Sequence, residues 1–443
     1  MDQDRLQNVV AQALSAGADA AEAVAVQRQS LSVGVRQGAL EEVEREESRD
    51  LGLRVFVGRA QAVVSGSNLS DEAIAKLVER AVAMARLAPD DVFAGLAPRE
   101  RLFRGGGVEL ELFDPHLCTP ESLEETARAL EAAALAVDGV TQSDGGSAGL
   151  SSSQWAMATS EGFCAAYSAS AFHRSASVVA GEGSGMERGG EGRSTRWFED
   201  LPPPDVIGRE AGMRAVSRLK PRKLESQVAP VMFENRIAVS LLGPLIGAIA
   251  GPAVARGVSF LKDRLGEKIF PDQVTVTDEP LRPRGLGSTP FDDEGVAAST
   301  QTLVENGVLT TWLLNVASAK QLGLGLTGHA SRSLAGAPGV SPHNLTLQPG
   351  TETPEALRQA AGRGLLVTSM FGPSLNANTG DWSVGVSGFW FEGGEIAYPV
   401  NEITVAGNLI DIYQRLVPAS DLEFRGASNA PSLMVDGLAI AGR

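Results

Sequence analysis

The sequence predicts an α+β fold, with an α/β-type N-terminal half of mixed or antiparallel strands and a β-rich C-terminal half of hairpins with short helices. The composition, with 43% hydrophobic and 21% charged residues, is typical of a folded globular protein. Glycine occurs 50 times while aromatic residues make up only 5%, a combination that favours many tight turns. Asn306-Gly307 lies between two apolar runs, which is a strong signal for a β-hairpin.

The first predicted domain spans residues 1–105. Ser70 is a predicted N-cap, because Asp71 and Glu72 follow it in the first turn of an apolar-periodic helix that ends near Leu87. A turn is expected at Gly105-Gly106-Gly107. The other elements predicted in this domain are a helix over 4–16 and strands over 31–36, 51–57 and 61–65.

The central domain, residues 106–222, is predicted to contain helices over 121–137 and 205–219 and strands over 151–160 and 163–180. In the third domain, residues 223–443, hairpin turns are expected at Asn306-Gly307, Gly393-Gly394 and Asp436-Gly437. Short helices are expected over 316–322 and 408–417. The segment Gly323–Gly339 is rich in small residues, which predicts a mobile loop.

The segment Ile237–Ala255 runs for 19 residues without a charge. Its two prolines and the lack of a second apolar span favour a buried helix over a membrane span. Gly243, Gly247 and Gly251 are four residues apart, so on one helix they would share a face that another backbone can approach closely. That backbone could belong to a sheet of the same chain or to another subunit.

Charge and cysteine content restrict the class of protein. The net charge of −16 argues against nucleic-acid binding, because contact with phosphates requires a basic surface. Cys118 and Cys164 do not form a CxxC pair, and the acidic start of the chain lacks the basic and apolar parts of a signal peptide. We therefore expect a cytoplasmic protein without a membrane segment.

The catalytic motifs that match by pattern fail on their context. Gly323–Gly328 fits GxGxxG but follows a helical stretch, and Gly145–Gly149 fits GxSxG without an apolar strand before it. The histidines are assigned to the surface or to loops, since none has the spacing of a zinc motif. They are His116, His173, His329 and His343. The sequence therefore predicts no metal site and no recognisable hydrolytic centre.

The segment Leu241–Ala248 resembles the helix that carries the His-Glu-x-x-Gly-His zinc motif in the TldD/PmbA family, the so-called modulators of DNA gyrase. The leucines and the inner Gly247 match, but Gly243, Pro244 and Ala248 stand where that motif has histidine, glutamate and histidine. These three side chains have no lone pairs for zinc, and the family's third ligand, a cysteine near the C-terminus, has no counterpart here.

The rest of the chain resembles the PmbA/TldE branch, which lacks the zinc motif. The resemblance is carried by residues 380–417, by SPHNLTLQPG and by PSLMVDGLAIAG. It implies a metal-free, non-catalytic subunit without a cofactor of its own, paired with a TldD-like subunit that carries zinc. A homodimer is the other possible assembly. The implied substrates are unfolded or modified peptides, cleaved in proteolysis or peptide maturation.

Two other functions stay open at this stage, a stand-alone hydrolase with an unrecognised site and a regulatory protein that binds gyrase. For peptide binding, the candidates are Asn378, Asp381 and Trp382, since Gly380 allows close approach and the other side chains could orient a peptide. A purely structural role in the turn and the core is the alternative for these residues.

Overall fold

The computed structural model describes residues 3–106 and 109–442, so Gly107 of the expected turn lies outside the described residues. The N-terminal half contains four α-helices among the described residues, which are α1 (Gln3–Ser15), α2 (Asp71–Leu87), α3 (Pro120–Leu135) and α4 (Pro204–Ser217). The predicted cap of α2 is confirmed, because the Ser70 side chain accepts a hydrogen bond from the backbone N–H of Ala73.

One six-stranded sheet joins residues 20–66 to residues 140–195 in the order β3-β2-β1-β4-β5-β6. Its strands are β1 (Ala20–Arg36), β2 (Ala39–Val57), β3 (Ala60–Gly66), β4 (Val140–Thr159), β5 (Cys164–Ala180) and β6 (Glu187–Thr195). The two N-terminal domains predicted from the sequence therefore contribute three strands each to a common sheet. The predicted boundaries near residues 105 and 222 stay predictions.

The five predicted strands of this sheet are confirmed, with β3 and β5 matching within one residue at each end. Strands β1, β2 and β4 begin 11 or 12 residues earlier than predicted, and β6 was missed. Strand β6 has no large apolar side chain and is held by antiparallel pairing with β5 along its whole length. Gly189 of β6 lies against the backbone of α4, where a Cβ would come within 2.2 Å of the Ala215 nitrogen. The alternation of apolar residues cannot indicate a strand that is specified by pairing and close approach.

The C-terminal half contains a closed β-barrel, because β16 pairs with both β15 and β19. The barrel strands are β7 (Gln227–Phe233), β14 (Arg363–Leu375), β15 (Asp381–Glu392), β16 (Glu395–Asn408) and β19 (Leu433–Ala441). Strand β17 (Leu416–Pro418) pairs with β19 outside the barrel. Further short strands are β8 (Val276–Asp278), β9 (Gln301–Glu305), β10 (Val308–Leu309), β11 (Ala330–Ser331), β12 (Gly339–Val340), β13 (Leu345–Leu347) and β18 (Ser428–Asn429). The helices are α5 (Asn235–Ala238), α6 (Leu242–Ile249), α7 (Gly251–Ala255), α8 (Val316–Leu322), α9 (Pro354–Ala361) and α10 (Leu409–Gln414).

Two of the three predicted hairpin turns are confirmed. Asn306-Gly307 joins β9 to β10, and Gly393-Gly394 joins β15 to β16, with positive φ at each turn residue. The hairpin predicted at Asp436-Gly437 is wrong, because this dipeptide lies inside β19 and shifts the register of its pairing with β7. The local sequence favours a turn equally well, and only the pairing partner makes it a bulge.

The single helix predicted over Ile237–Ala255 is also wrong. The chain leaves the helical conformation at Ala250, with φ −67° and ψ 118°, and α7 starts afresh with Pro252 in its first turn. Gly251 is therefore not on the same face as the other two glycines. A Cβ on Gly251 would come within 2.6 Å of Leu314, whereas one on Gly243 or Gly247 would meet nothing within 4 Å.

Within the described residues, the structure contains no helix with both the length and the apolar character needed to cross a membrane.

Gly251 is tightly packed and Gly247 is not, so replacement by alanine is predicted to have opposite effects on stability at these two positions. We expect Gly251→Ala to lower the free energy of unfolding by about 1–3 kcal/mol, because the methyl group overpacks a buried contact. Gly247→Ala is expected to leave the stability of the isolated chain unchanged or raise it by up to about 1 kcal/mol, since alanine favours the helix. Urea unfolding of both variants measures the two effects, and equal destabilisation would contradict the packing described for α6 and α7.

Candidate functional site

Helix α6 carries the positions that align with the zinc motif, but the side chains at these positions cannot bind a metal ion. Gly243 and Gly247 are exposed and Pro244 is half-buried, while Ala248 is buried with its carbonyl accepting a hydrogen bond from the Ser259 hydroxyl at 2.6 Å. None of these residues has a side-chain donor atom for zinc. The residues present at this helix therefore do not fit a zinc ion.

The structure separates the three candidate peptide-binding residues. Asn378 and Asp381 are exposed, and the Asp381 carboxylate accepts hydrogen bonds from the Thr379 hydroxyl at 2.7 Å and the Asn408 amide at 3.0 Å. Trp382 is only 4% exposed and packs in the barrel core, with its ring edge-on to Phe233. In the isolated chain a peptide can therefore reach Asn378 and Asp381, whereas the indole of Trp382 is covered by core residues.

The two histidines of the C-terminal half lie in loops, as expected, but they converge on a buried carboxylate that the sequence did not indicate. The Oδ2 atom of Asp278 lies 3.1 Å from Nε2 of His329 and 2.7 Å from Nδ1 of His343. Asp278 is fully buried and His329 is 1% exposed. The mobile loop predicted over Gly323–Gly339 is accordingly anchored at His329. Distant strands assemble this cluster, so sequence spacing gives no sign of it.

The hydrogen bonds of this cluster indicate which of its atoms carry protons. The two imidazole contacts hold the pKa of Asp278 at about 2 despite its burial, so the carboxylate is ionised and both rings donate to it. Nδ1 of His329 then accepts from the Thr327 hydroxyl at 2.9 Å, and burial lowers the pKa of His329. These are ordinary distances for charge-assisted hydrogen bonds. Among the described residues, this is the only His, Cys, Asp or Glu group that brings three ligand atoms together.

An acidic run, Asp292-Asp293-Glu294, lies close to this cluster. Backbone N–H groups of Glu294, Val296 and Ala330 donate to the Asp292 carboxylate at 2.9–3.0 Å. Burial nevertheless raises the pKa of Asp292 to about 6. For Glu294, burial and the neighbouring Asp292 raise the pKa to about 8, so this side chain is mostly protonated at neutral pH.

A buried ion network fixes the acidic run against the first sheet. Glu22 of β1 accepts from the Arg54 guanidinium of β2 at 3.2 Å and also contacts the Arg332 guanidinium. Arg54 lies 4.0 Å from Glu294, and Arg332 donates its backbone N–H to Asp293 at 2.8 Å. The three ionic side chains of Glu22, Arg54 and Arg332 are at most 2% exposed. This network therefore links the N-terminal and C-terminal halves.

A cavity of about 240 Å³, here called the polar pocket, opens between the sheet and this loop region. Its lining includes Tyr167, Arg196, Asp293, Ser341 and His343. Sequence reasoning missed these residues, although three successive acidic residues beside an apolar segment are a signal that could have directed attention to the loop. The pocket combines a carboxylate with an imidazole that is backed by a second carboxylate, which is an arrangement suited to binding or proton transfer.

Comparison with known proteins identifies the family to which this chain is similar along its length. Family models for the PmbA/TldA metallopeptidase domain 1, central domain and C-terminal domain match residues 21–85, 114–219 and 226–442. The chain is 38% identical over 431 residues to the metalloprotease PmbA of Escherichia coli O157:H7, covering 97% of this chain and 94% of that one. It belongs to the PmbA/TldA metallopeptidase family. A PmbA homologue from Haemophilus influenzae is 36% identical over 97% of this chain and 94% of its own length.

Solved structures of the family share the fold. A protein from Bacteroides thetaiotaomicron, described as a candidate modulator of DNA gyrase, superimposes with a TM-score of 0.92 at 26% identity over the full length of both chains. TldE from Thermococcus kodakarensis has a TM-score of 0.88 at 21% identity, covering 98% of this chain and 99% of that one. The resemblance seen in the sequence is thus confirmed, together with the α+β architecture.

The positions of Trp382 and Asp381 predict different losses of stability. Trp382→Ala is expected to cost about 3–5 kcal/mol in the free energy of unfolding, because it leaves a large cavity in the barrel core. Asp381→Ala, at the neighbouring exposed position, serves as the matched control and is expected to change stability little. Chemical denaturation followed by circular dichroism measures both, and a Trp382→Ala chain as stable as the control would show that the indole is not a core residue.

The pKa of Glu294 predicts how stability depends on pH. The folded chain keeps this proton up to about pH 8, whereas an unfolded glutamate loses it near its ordinary pKa of 4.5. The free energy of unfolding is therefore expected to fall between pH 5 and pH 8, by at most about 1.4 kcal/mol per pH unit for one proton.

Glu294→Gln is expected to reduce this slope and to be more stable than the parent at pH 8, because glutamine cannot ionise. Exposed Glu305→Gln is the matched control and is expected to keep the parental slope. Unfolding curves at several pH values measure the slopes, and an unchanged slope in Glu294→Gln would exclude ionisation of Glu294 as the cause.

Proposed function

We propose that this chain is the metal-free, non-catalytic subunit of a peptide-cleaving complex whose zinc is supplied by a TldD-like partner. Membership of the metallopeptidase family supports a role in peptide cleavage. The observation that carries the proposal is helix α6, whose motif positions Gly243, Pro244 and Ala248 offer no ligand atom. A chain of this kind contributes binding surface and shape, while the partner contributes the metal.

The exposed face of α6 supports a subunit contact. Gly243 and Gly247 leave the backbone of this helix uncovered, and nothing in the described chain lies within 4 Å of where their Cβ atoms would be. A backbone from another subunit can approach such a surface closely. We propose a heterodimer with the zinc-bearing relative, and a homodimer when that relative is absent.

Strand β14 supports binding of an extended peptide. Only Leu365–Val367 of β14 pair with β7, while the strand continues to pair with β15 as far as Leu375. The backbone beyond Thr368 therefore has an edge that no described strand of this chain covers. An extended peptide can satisfy its own backbone by joining such an edge, which selects unfolded or modified peptides over folded ones. The exposed turn with Asn378 and Asp381 continues this edge and is proposed to contact the same peptide.

Compartment and other partners follow from composition. We propose a cytoplasmic location, supported by the unpaired thiols of Cys118 and Cys164. The acidic net charge of −16 supports a peptide and a protein partner and argues against nucleic acid.

A second candidate function is a hydrolase that acts alone through the polar pocket. The buried Asp278 orients His343, as a carboxylate orients the general base in many hydrolases. However, no serine, threonine or cysteine of the described chain lies within hydrogen-bond distance of the His343 ring. The first candidate therefore fits the structure better, and peptidase assays on the isolated chain distinguish the two.

The first proposal predicts that elemental analysis finds no stoichiometric zinc at the Gly243–Ala248 helix. The chain alone is expected to leave an unfolded peptide intact and to promote its cleavage when mixed with a zinc-bearing relative. Gly243→His with Pro244→Glu and Ala248→His is expected to remain inactive alone, because the third ligand is still missing. Asp381→Ala is expected to slow cleavage by the complex without weakening its assembly.

Light scattering follows assembly and mass spectrometry follows cleavage in these experiments, with exposed Asp138→Asn as the matched control for Asp381→Ala. About one zinc ion per chain, lost on mutation near α6, would overturn the metal-free assignment. A chain that stays monomeric at micromolar concentration, with and without the relative, would overturn the proposed assembly.

A further inference from the structure

The polar pocket is rich in hydrogen-bond acceptors that no described residue uses. Asp293 accepts the backbone N–H of Arg332 at 2.8 Å through Oδ2, and no described group donates to its Oδ1 atom. Burial is the main cause of the raised pKa of this carboxyl, and Arg332 and then His343 act in the opposite direction. Asp293 and His343 both line the pocket and are electrostatically coupled.

His343 presents a second acceptor. Its Nδ1–H donates to the ionised Asp278, and its backbone N–H donates to the other oxygen of the same carboxylate at 2.8 Å. In the neutral form of the ring with its proton on Nδ1, Nε2 carries a lone pair, and this nitrogen has no hydrogen-bond partner among the described residues. The ring is held from behind by two contacts, so this lone pair has a fixed direction.

The Arg332 guanidinium lowers the pKa of the Asp293 carboxyl, but no described side chain donates a hydrogen bond to Asp293 in the polar pocket. Arg196 is the one arginine that lines it within the described chain, and its guanidinium donates to the carbonyls of Ser170, Gly285 and Leu286. Arg332 contacts Glu22 through Nη1, while its Nε and Nη2 atoms are buried without a hydrogen-bond partner among the described residues. A carboxylate in a partly enclosed pocket is stabilised by a positively charged ligand that replaces the lost water.

An open groove leads away from the pocket along the first sheet. It is a cavity of about 390 Å³ that shares Ser153, Ala169 and Arg196 with the polar pocket. Small side chains such as Ser30 and Ser48 line it together with longer ones such as Arg28 and Glu46, so an extended chain in the groove would meet both hydroxyl and charged groups. The polar pocket adjoins this groove through the shared residues.

We propose that the polar pocket binds the α-ammonium group of an extended peptide, with Asp293 and His343 as its acceptors. An ammonium group has three N–H donors and no acceptor, which matches a carboxylate oxygen, an imidazole lone pair and a serine hydroxyl. The inference rests on the proposed role in peptide handling and adds that the amino terminus is recognised. A lysine side chain carries the same chemistry, so the experiment distinguishes the two sources.

The test measures binding of fluorescent heptapeptides of alanine, serine and valine to the full chain by anisotropy. Three peptides are compared, one with a free amino terminus, one acetylated there, and one acetylated with a central lysine. The free terminus is expected to bind about tenfold more tightly than its acetylated form, as for one charge-assisted hydrogen-bonded pair. The lysine peptide is expected to bind like the acetylated one.

Asp293→Asn is expected to bring this tenfold ratio close to one, since asparagine still accepts the Arg332 N–H but carries no charge. His343→Gln is the second variant and is expected to reduce the ratio as well. The matched controls Asp138→Asn and His116→Gln are expected to keep the parental ratio, because both residues lie outside the pocket.

Equal binding of the free and acetylated peptides would overturn this inference and leave the proposed subunit role intact. A preference that survives in both Asp293→Asn and His343→Gln, or tight binding of the lysine peptide, would also overturn it. If none of the peptides binds to the chain or to its complex with a zinc-bearing relative, the proposed role in peptide handling fails as well.

Discussion

The contact of Glu22 with Arg54 and Arg332 is the interaction on which the packing of the two halves against each other depends. It joins two strands of the first sheet to the loop beyond β11, and its side chains are almost completely buried. Removing one partner of such a network would leave an unpaired charge in the interior, which costs several kcal/mol. Apolar packing reinforces the contact, since Val24 and Val26 of β1 lie in one cluster with Phe291 and Val296.

The network also sets the electrostatics of the polar pocket. Five buried or half-buried carboxylates face two arginines in this region, so the excess negative charge is relieved by protonation of Glu294 and by backbone hydrogen bonds to Asp292. The carboxylates are Glu22, Asp278, Asp292, Asp293 and Glu294. Asp293 faces the cavity with one oxygen uncommitted, and a bound cation would relieve the remaining charge. Structure and binding are therefore connected here through the same groups.

Helix α6 combines a packed apolar face with an exposed face that has no side-chain donor for a metal ion. Leu242, Leu245 and Ile249 fill the core beside the barrel, which preserves the helix. The opposite face carries Gly243 and Gly247, where an added Cβ would meet nothing within 4 Å outside the helix itself. The packed face fixes the helix in the fold, and the exposed face is the surface that the proposed subunit contact would use.

The sequence alone was sufficient for elements determined by local chemistry. Ser70 begins α2, Asn306-Gly307 and Gly393-Gly394 form turns, and the motif positions of α6 lack zinc ligands, because caps, turn conformations and ligand chemistry are properties of the residues themselves. The family resemblance was also visible in the sequence, in segments such as residues 380–417, and the α+β class followed from the pattern of apolar residues and turns.

The tertiary structure decided everything that depends on a distant partner. Asp436-Gly437 became a bulge because β7 pairs on both sides of it, and β6 became a strand because β5 and α4 hold it. His329 and His343 follow Asp278 by 51 and 65 residues in the sequence, so no local pattern indicates that both histidines hydrogen-bond to this aspartate. Burial, which shifts the pKa values of Asp292 and Glu294, is likewise a property of the folded chain and not of its sequence spacing.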